Sequence, residues 1–403
     1  MEWNYTEGVK IHQIESDQFL RSKIIFRFQK HYDEELATCW SITSECINVL
    51  FRTKEEITYR LWNTQINSST SIHRDKLWLS VSIDTVNIEE VILETIKFVI
   101  DIIFESELLI SKKIFGEGKK NSIFNICFFN ESDELKAAKE IMTLHFGEQN
   151  RLNGFSIGNK DTSEKISYLD YLSVIDEIRK EVGVDILFIG GISQETLKTA
   201  LAKIAPSSTR KENRILIEKN FEYPSTFVSK TESAKMCLSK LMITYNTGVY
   251  LGDDDYPSLL VYDGILGAFS FSLLGLRIRK EGIAYYATST ADPYRGYQII
   301  NTDINKNVKE KFVDILDNEV RRIKNGDFSL ALLIRIKKAI TNQLLLSMDN
   351  SSKLIEDHFI DNIYFNKFDG KKLIDAVNDV NKKEIMDVAN KIKKKAEYFL
   401  RDE

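Results

Sequence analysis

The chain has 403 residues, of which 43% are hydrophobic and 29% charged, and its formal net charge is −5. These proportions are typical of folded globular proteins and exclude a disordered, collagen-like or coiled-coil chain. The slightly negative charge argues against a nucleic-acid binder that depends on phosphate neutralisation. At about 150 residues per domain, the length predicts two or three domains.

Cysteine usage and the apolar stretches indicate a compartment. The four cysteines include no Cys-x-x-Cys pair and are too few for a disulfide framework: they are Cys39, Cys46, Cys127 and Cys237. Residues 1–15 lack a basic segment followed by an apolar one, and the most apolar stretches, 91–104 and 330–340, contain charged residues. We therefore expect a reducing cytoplasm, no signal peptide and no membrane span.

The first half of the chain alternates strand-like and helix-like patterns. The predicted elements, in chain order, are two strands within 9–28, a helix over 35–51, a capped helix from Thr53 to Trp62, a strand over 76–83, and helices over 88–109 and 167–182, then a buried strand over 185–189. This half ends with a helix that runs into a strand.

The second half repeats this mixture after a polar, proline-containing boundary that we place at 205–225. Its predicted elements are a strand over 237–251, helices over 256–269 and 272–279, a strand over 283–288, helices over 308–323, 330–348 and 373–394, and a last strand over 396–400. The shared helix-to-strand ending suggests duplication. We predict an α+β fold with two homologous domains, 1–205 and 225–403, each a largely antiparallel sheet with helices covering one face.

The five histidines offer little for metal chemistry. None lies four residues from another, so no helix presents a pair of imidazoles to zinc: they are His12, His31, His73, His145 and His358. His31 and Glu34 match part of a His-x-x-Glu-His motif, but Glu35 replaces the second histidine. We interpret His31 as a solvated residue beside a helix start. The nucleophile elbow, the P-loop and the dinucleotide fingerprint are absent.

Three further clusters have plain structural interpretations. The acidic run 253–255 lacks the spacing of a calcium loop and is better explained as a solvated turn than as a cation site. Cys39 and Cys46 lie on one predicted helix as small core residues. The lysines over 391–395 are typical of a solvated helix end.

The segment 276–289 is the most suggestive part of the chain. A basic helix end with Arg277 and Arg279 breaks at Gly282 into a predicted strand that carries Tyr285 and Tyr286. A guanidinium and a phenol at one sheet edge can donate hydrogen bonds to a peptide carbonyl or its developing oxyanion. Arg and Tyr pairs are also common at helix–strand junctions for structural reasons, so both interpretations stay open.

The segment order of the second half resembles the pitrilysin and mitochondrial-processing-peptidase superfamily of zinc peptidases. The resemblance is carried by 241–245, 253–269, 272–289, and Gly326 with the helix over 330–348. It implies two domains that form half of a clamshell chamber. Active relatives carry His-x-x-Glu-His on the helix that matches 35–51, whereas this sequence has no histidine between His31 and His73.

The resemblance therefore implies a non-catalytic subunit of a bacterial, two-subunit zinc metallopeptidase. A homologous partner would carry His-x-x-Glu-His, zinc and the Glu base, while this chain would bind no metal or cofactor itself. Substrates would be peptides or precursor leader peptides, as in ribosomal peptide maturation. Arg279 and Tyr285 would act in catalysis, and Arg277 and Tyr286 in substrate binding.

The spacing of this pair departs from the family. Seven positions usually separate the family's Arg and Tyr, whereas Arg279 lies six and Arg277 eight positions before Tyr285. Two other function classes also remain. The chain is alternatively a peptide-binding or assembly scaffold without a role in catalysis, or an autonomous enzyme with an unrecognised site, which five scattered histidines disfavour.

Overall fold

The computed structural model describes residues 2–53, 64–148, 152, 154–202, 204, 210, 226–363 and 370–403. The predicted helix from Thr53 to Trp62 therefore lies outside the described residues, except for Thr53 itself. The predicted boundary at 205–225 also lies outside them, apart from residue 210. The chain forms two units, each built on one sheet.

The first unit comprises Met1–Phe129, Gly154–Leu216 and Asp349–Ile363. Its sheet has the strand order β1-β2-β6-β3-β5-β4. The strands are β1 (Glu2–Thr6), β2 (Val9–Glu15), β3 (Arg21–His31), β4 (Gln65–His73), β5 (Lys76–Val86) and β6 (Val184–Gly190). The helices are α1 (Glu34–Thr53), α2 (Glu89–Ile100), α3 (Lys112–Glu131), α5 (Lys160–Lys165), α6 (Tyr168–Lys180), α7 (Gln194–Ala200) and α12 (Ser351–Ile363).

The second unit comprises Asn130–Asn153, Ile217–Met348 and Tyr364–Glu403. Its sheet has the order β7-β11-β8-β10-β9. The strands are β7 (Val228–Ala234), β8 (Ser239–Asn246), β9 (Thr288–Asp292), β10 (Tyr297–Ile304) and β11 (Lys393–Asp402). The helices are α4 (Asp133–Phe146), α8 (Tyr256–Asp263), α9 (Leu273–Glu281), α10 (Lys309–Lys324), α11 (Leu330–Met348), α13 (Gly370–Asp379) and α14 (Lys382–Lys391).

The two sheets share one plan, which confirms the predicted α+β fold with two homologous domains. Strands β2 to β6 correspond in order to β7 to β11. In the first sheet β6 lies beside β2 and is parallel to it, and in the second sheet β11 lies beside β7 in the same way. The other pairings are antiparallel. The helices match as well: α2 to α6 follow β5 in the order in which α10 to α14 follow β10.

Several predicted elements have different bounds in the structure, and two of them differ in kind. The strand predicted over 283–288 begins at Thr288, and residues 283–287 make a single β-bridge, from Ala284 to Ile304. The helix predicted over 373–394 is two helices, α13 and α14. The side chain of Asn381 accepts hydrogen bonds from the backbone at Lys383 and Glu384, so it caps a new helix at the break.

Each sheet is covered on both faces, although helices were predicted on one face only. In the first unit, alternate residues of β3 such as Phe26 and Phe28 face the main core with α1, while Arg27 and Gln29 face the other side. Helix α12 covers that second side through β2, β3 and β6. In the second unit, α4 covers the second face in the same way through β8 and β11.

Tyr256–Glu281 is, among the described residues, the stretch long and apolar enough by composition to cross a membrane. Of its most apolar window, 61% is buried inside the protein. Leu259, Ile265 and Ile278 from this stretch belong to the second unit's core. The stretch is also interrupted between the π-helical turn 264–268 and α9. It therefore packs as core structure in the second unit.

Candidate functional site

Helix α9 and the loop that follows it carry the predicted Arg and Tyr side chains. The helix ends at Gly282, which adopts a left-handed φ of 64° that favours glycine. The backbone N–H of Ile283 then donates to the carbonyl of Ile278 over 3.0 Å. The chain leaves the helix as a loop over 283–287 and joins the sheet at β9, an edge strand paired to β10.

The two arginines of α9 are exposed and point to different partners. Arg277 forms an ion pair with Glu281 over 3.1 Å, and Glu281 also binds Lys311 over 3.2 Å. The hydrogen bond from Lys311 is the main cause that lowers the pKa of Glu281. Arg279 donates to the carbonyl oxygen of Ser270, in the turn before α9. Both arginines are thus held by local partners.

The position seven residues before Tyr285 is Ile278, and its side chain is fully buried in the core of the second unit. This is where the family spacing would place the arginine. Because Ile278 points inward, its neighbours Arg277 and Arg279 lie to either side on the exposed surface. The six- and eight-residue spacings therefore describe two exposed arginines that flank a core position.

The two tyrosines differ in their exposure to solvent. Tyr285 is 95% exposed, and its side chain makes no hydrogen bond within the described part of the chain. Tyr286 is half-buried: burial raises its pKa to about 12, and a hydrogen bond with Asp303 acts in the same direction. Its carbonyl accepts from Thr302 Oγ1 over 2.6 Å. Tyr285 is the phenol available to a ligand, while Tyr286 is engaged by the sheet.

A buried carboxylate that the sequence analysis missed supports β9. Asp263, at the end of α8, accepts from Ser289 Oγ of β9 and from Gln298 Nε2 of β10, the latter over 2.7 Å. Burial raises the pKa of Asp263 against the effect of these hydrogen bonds. The signal available in the sequence was a single acid inside the apolar run 259–268. This cluster ties the edge strand to the helix beneath it.

Helix α1 occupies the position at which the resembling zinc peptidases carry their metal motif. Its inward side chains include Cys39, Trp40 and Cys46, all buried. Burial raises the pKa of each thiol to about 12, and Sγ of Cys46 donates to the carbonyl oxygen of Ile114 over 3.6 Å. Cys46 also packs against Gly118 of α3, where a Cβ would lie 2.4 Å from its Sγ. These residues do not fit a zinc ion, and they are core residues, as predicted.

The histidines within the described ranges make ordinary polar contacts. His31 is exposed beside Asp75, 3.1 Å away, and His12 is buried against Asp185, 2.9 Å away. His145 is buried beside Thr244. Within the described ranges, no three His, Cys, Asp or Glu side chains are grouped so that they could hold a metal ion.

The acidic run and the lysine-rich end are local structural features. Asp253 accepts from the backbone N–H of Tyr250 over 2.9 Å and so closes the turn before α8. Asp255 forms an ion pair with Lys391 at the end of α14. Lys394 binds Glu397 over 3.3 Å on β11. The contacts of Asp253 and Asp255 agree with the turn that the sequence indicated. The prediction of a solvated helix end over 391–395 is wrong beyond Lys391, because residues 393–395 belong to β11 and Lys395 is buried, where its Nζ donates to the carbonyl oxygen of Thr226 over 2.8 Å.

Comparison with known proteins identifies related chains. Residues 165–340 match the family described as "Peptidase M16 inactive domain". The chain is 28% identical over 245 residues to "Probable inactive metalloprotease YmfF" of Bacillus subtilis. That match covers 60% of this chain and 55% of the relative, so it spans little more than half of the relative's length.

Solved structures of similar fold cover the whole chain. A conserved protein from Enterococcus faecalis V583 superimposes with a TM-score of 0.90 at 23% identity, over 100% of this chain and 98% of that one. The peptidase M16 inactive domain from Pseudomonas fluorescens superimposes with a TM-score of 0.79 at 13% identity, over 100% and 98%. A protease from Helicobacter pylori gives 0.79 at 13% identity, over 100% and 99%.

Proposed function

We propose that the chain is a non-catalytic subunit of a two-chain zinc peptidase, because residues 165–340 match the inactive domain of the M16 peptidase family. A homologous chain with His-x-x-Glu-His would supply the zinc and the Glu base. This chain would complete the chamber in which peptides are cleaved.

One observation carries the proposal: α1 is a 20-residue, well-packed helix that has no imidazole. Trp40, Cys46 and Leu50 of this helix are completely buried in the first unit's core. The two carboxylates at its start, Glu34 and Glu35, are exposed. A helix that is retained for packing without metal ligands is expected when a partner performs the chemistry.

The α9–β9 segment supports a role in substrate contact. Tyr285 projects from the loop with its phenol free to donate a hydrogen bond, and Arg279 lies on the helix before it. The edge strand β9 has one side unpaired in the sheet order, so an extended peptide can reach it. In this proposal Tyr285 and Arg279 hold a substrate carbonyl, and Arg277 and Tyr286 border the same place.

The substrate class and the location belong to the proposal as well. We propose peptides or precursor leader peptides, including those of ribosomal peptide maturation, as substrates in the cytoplasm. A chamber of two similar chains admits unfolded segments and excludes folded proteins by size.

A scaffold without a role in catalysis is the second candidate, and one observation favours it. Ile278 occupies the position of the family arginine and is buried, while Arg277 and Arg279 have local partners. A chain that has the fold but no arginine at the family position could bind a partner or a peptide without assisting cleavage.

The test is peptide cleavage by a His-x-x-Glu-His partner, assayed alone, with this chain, and with Arg279→Ala or Tyr285→Phe. The proposal expects cleavage to need this chain, and each of the two variants to lower turnover by roughly a hundredfold or more, as the loss of an oxyanion donor does. The matched control is Arg321→Ala, an exposed arginine on α10 with one hydrogen bond, to Asn318.

The outcomes separate the candidates. Unchanged turnover with both variants, together with intact complex formation, favours the scaffold. A partner that is equally active alone overturns the subunit proposal, and so does cleavage by this chain without a partner.

A further inference from the structure

Helix α3 has two rows of residues with opposite environments. One row faces α1: Ile114, Gly118, Ser122 and Ile126 are buried, and Ser122 Oγ lies 3.1 Å from Ser41 Oγ. The other row lies on the opposite side of the helix and is exposed throughout: it consists of Gly116, Lys120, Phe124 and Phe128. Each member follows the previous one by four residues, so the row forms a continuous ridge. We call it the α3 ridge.

The α3 ridge exposes more aromatic surface than a solvated helix face requires. Phe124 is 69% and Phe128 is 67% exposed. Lys120 makes no ion pair within the described part of the chain, and a Cβ added at Gly116 would meet nothing within 4 Å. The ridge thus begins with an open position and an unpaired cation and ends with two uncovered phenyl rings.

The order of these residues is self-complementary. If two copies of the helix lie antiparallel and centred on Ser122, residue 116 of one faces residue 128 of the other, and residue 120 faces residue 124. Phe128 then fills the open position at Gly116, and the ammonium of Lys120 lies over the ring of Phe124, a favourable cation–π arrangement. Both contacts occur twice, as a two-fold axis requires.

The repeat-equivalent helix α11 provides a contrast. Its exposed row at the same spacing is Leu330, Ile334, Lys338, Asn342 and Leu346. An antiparallel pair centred on this row would bring Lys338 against Lys338 of the copy, where like charges repel. The duplicated plan therefore yields exposed apolar residues on both helices, but only the row on α3, of these two, combines aromatic rings with an open glycine position.

We propose that the α3 ridge is a self-association surface that binds the α3 ridge of a second copy of this chain. This goes beyond the proposed function, which needs a peptidase partner and does not need a second copy. The contact is small: four phenyl rings at these exposures bury roughly 500–600 Å². Stable interfaces bury about 1,200–2,000 Å². We therefore expect a weak dimer, with a Kd of roughly 10 µM to 1 mM.

Sedimentation equilibrium of the full chain over about 1–500 µM tests the proposal. The wild type should show a monomer–dimer equilibrium, and Phe128→Glu should weaken it at least tenfold, because a carboxylate would lie in the apolar position beside Gly116. Gly116→Gln should weaken it as much. A side chain at Gly116 meets nothing within its own chain, so this variant should fold normally.

Two matched variants test the surface and the register. Phe124→Glu has the same substitution and nearly the same exposure as Phe128→Glu, but it faces Lys120 of the copy, so it should weaken the dimer several-fold less. Leu346→Asp, at a residue of α11 that is also 69% exposed, should leave the equilibrium unchanged.

Four results would overturn the proposal. They are a wild type that stays monomeric over this range, a Phe128→Glu variant that dimerises like the wild type, equal effects of the two Glu variants, and loss of the dimer with Leu346→Asp. If Phe128→Glu instead abolishes binding to a peptidase partner while the wild type alone is monomeric, the ridge belongs to that partner. Cleavage assays remain an independent test of the proposed function.

Discussion

The two units differ in the groups that hold a helix against the second face of the sheet. Each covers the second face of its sheet with one helix from the other half of the chain, α12 in the first unit and α4 in the second. In the first unit the helix is held by a buried charge. Arg27 Nη1 and Nη2 donate to Glu356 at 2.7 and 2.6 Å, and the guanidinium lies 4.4 Å from the ring of Trp78 and 5.0 Å from that of Phe359.

A second polar contact holds α12 to the same face. Asn362 Nδ2 donates to Nδ1 of His12 over 3.0 Å, so Nε2 of His12 carries the proton that is donated to Asp185 over 2.9 Å. The ring of His12 packs edge-on against Phe359 at 4.9 Å. Charged and polar groups therefore lie at the centre of this contact.

In the second unit the centre of the contact is apolar. Ile141 and Phe146 of α4 share a buried apolar cluster with Tyr398 of β11, and a buried polar contact joins His145 to Thr244 Oγ1 at 2.9 Å. Charged pairs lie at the rim: Lys240 binds Glu134, whose side chain is 50% exposed, and Lys230 binds Glu140 over 2.7 Å. Duplication has thus kept the strand order and the exchanged helix, while the groups that fasten the helix have diverged.

The largest effect should come from removing the buried ion pair of the first unit. Glu356→Ala leaves the guanidinium of Arg27, whose side chain is 5% exposed, buried without its partner. We expect the free energy of unfolding of the first unit to fall by about 3 kcal/mol. Urea unfolding followed by tryptophan fluorescence measures this, because Trp78 contacts Arg27 directly.

Glu356→Gln is the control, since the amide keeps one acceptor for Arg27 and should cost less than the alanine. A loss below about 1 kcal/mol with Glu356→Ala would show that water replaces the carboxylate, and the contrast between the units would then have no energetic basis.

An intermediate effect should appear in the pH dependence of the second unit. Burial lowers the pKa of His145 to about 3, with the charges of Lys395 and Arg295 acting in the same direction. The unfolded chain binds a proton near pH 6.5 and the folded chain does not, so stability is lost as the pH falls below 6.5 toward 3. About 2 kcal/mol should be lost between pH 6.5 and 5.

The test is urea unfolding of the wild type and His145→Gln across that pH range. The glutamine variant should lose the part of the pH dependence that belongs to His145, because it stays neutral throughout. If the free energies of unfolding of the two proteins changed with pH in parallel, His145 would be protonated in the folded chain. The contact between α4 and its sheet would then tolerate a buried charge, as the contact of α12 does in the first unit.

The sequence predicts the helices and strands of both units better than it predicts how α12 and α4 are held against the two sheets. The apolar periods identified α1, α10 and α11, and the alternation over 76–83 identified β5. Helices α4 and α12 were not among the predicted elements, and their pairing with the sheet of the other half could not be read from local periodicity. A period shows that a helix has an apolar face, but not which sheet covers it.

The candidate site shows the same limit. The residue types of the Arg and Tyr segment were visible, and so was the departure from the family spacing. That Ile278 takes the central position, with Tyr285 exposed and Tyr286 bound to Asp303, depends on where the helix ends and how the loop meets β10. Gly282 suggested the end of α9, but the first residues of β9 depend on the register of its antiparallel pairing with the next strand, β10.

The smallest effect should come from a rim pair of the second unit, and it gives the sharpest comparison with Glu356. Glu134→Ala removes one of two carboxylates that bind Lys240, and Asp303 remains 2.6 Å from its Nζ. Burial lowers the pKa of Lys240, but hydrogen bonds to Asp303 and Glu134 outweigh it and leave the pKa raised. Because one partner stays, the ammonium keeps its charge compensated.

We therefore expect Glu134→Ala to lower the free energy of unfolding of the second unit by about 0.5–1 kcal/mol, well below the loss with Glu356→Ala. Urea unfolding under identical conditions compares the two variants, and added salt should reduce the effect of Glu134→Ala more than that of Glu356→Ala. Equal losses would mean that exposure of the acidic partner does not set the cost. The essential difference between the units would then lie in their apolar contacts and not in the placement of charge.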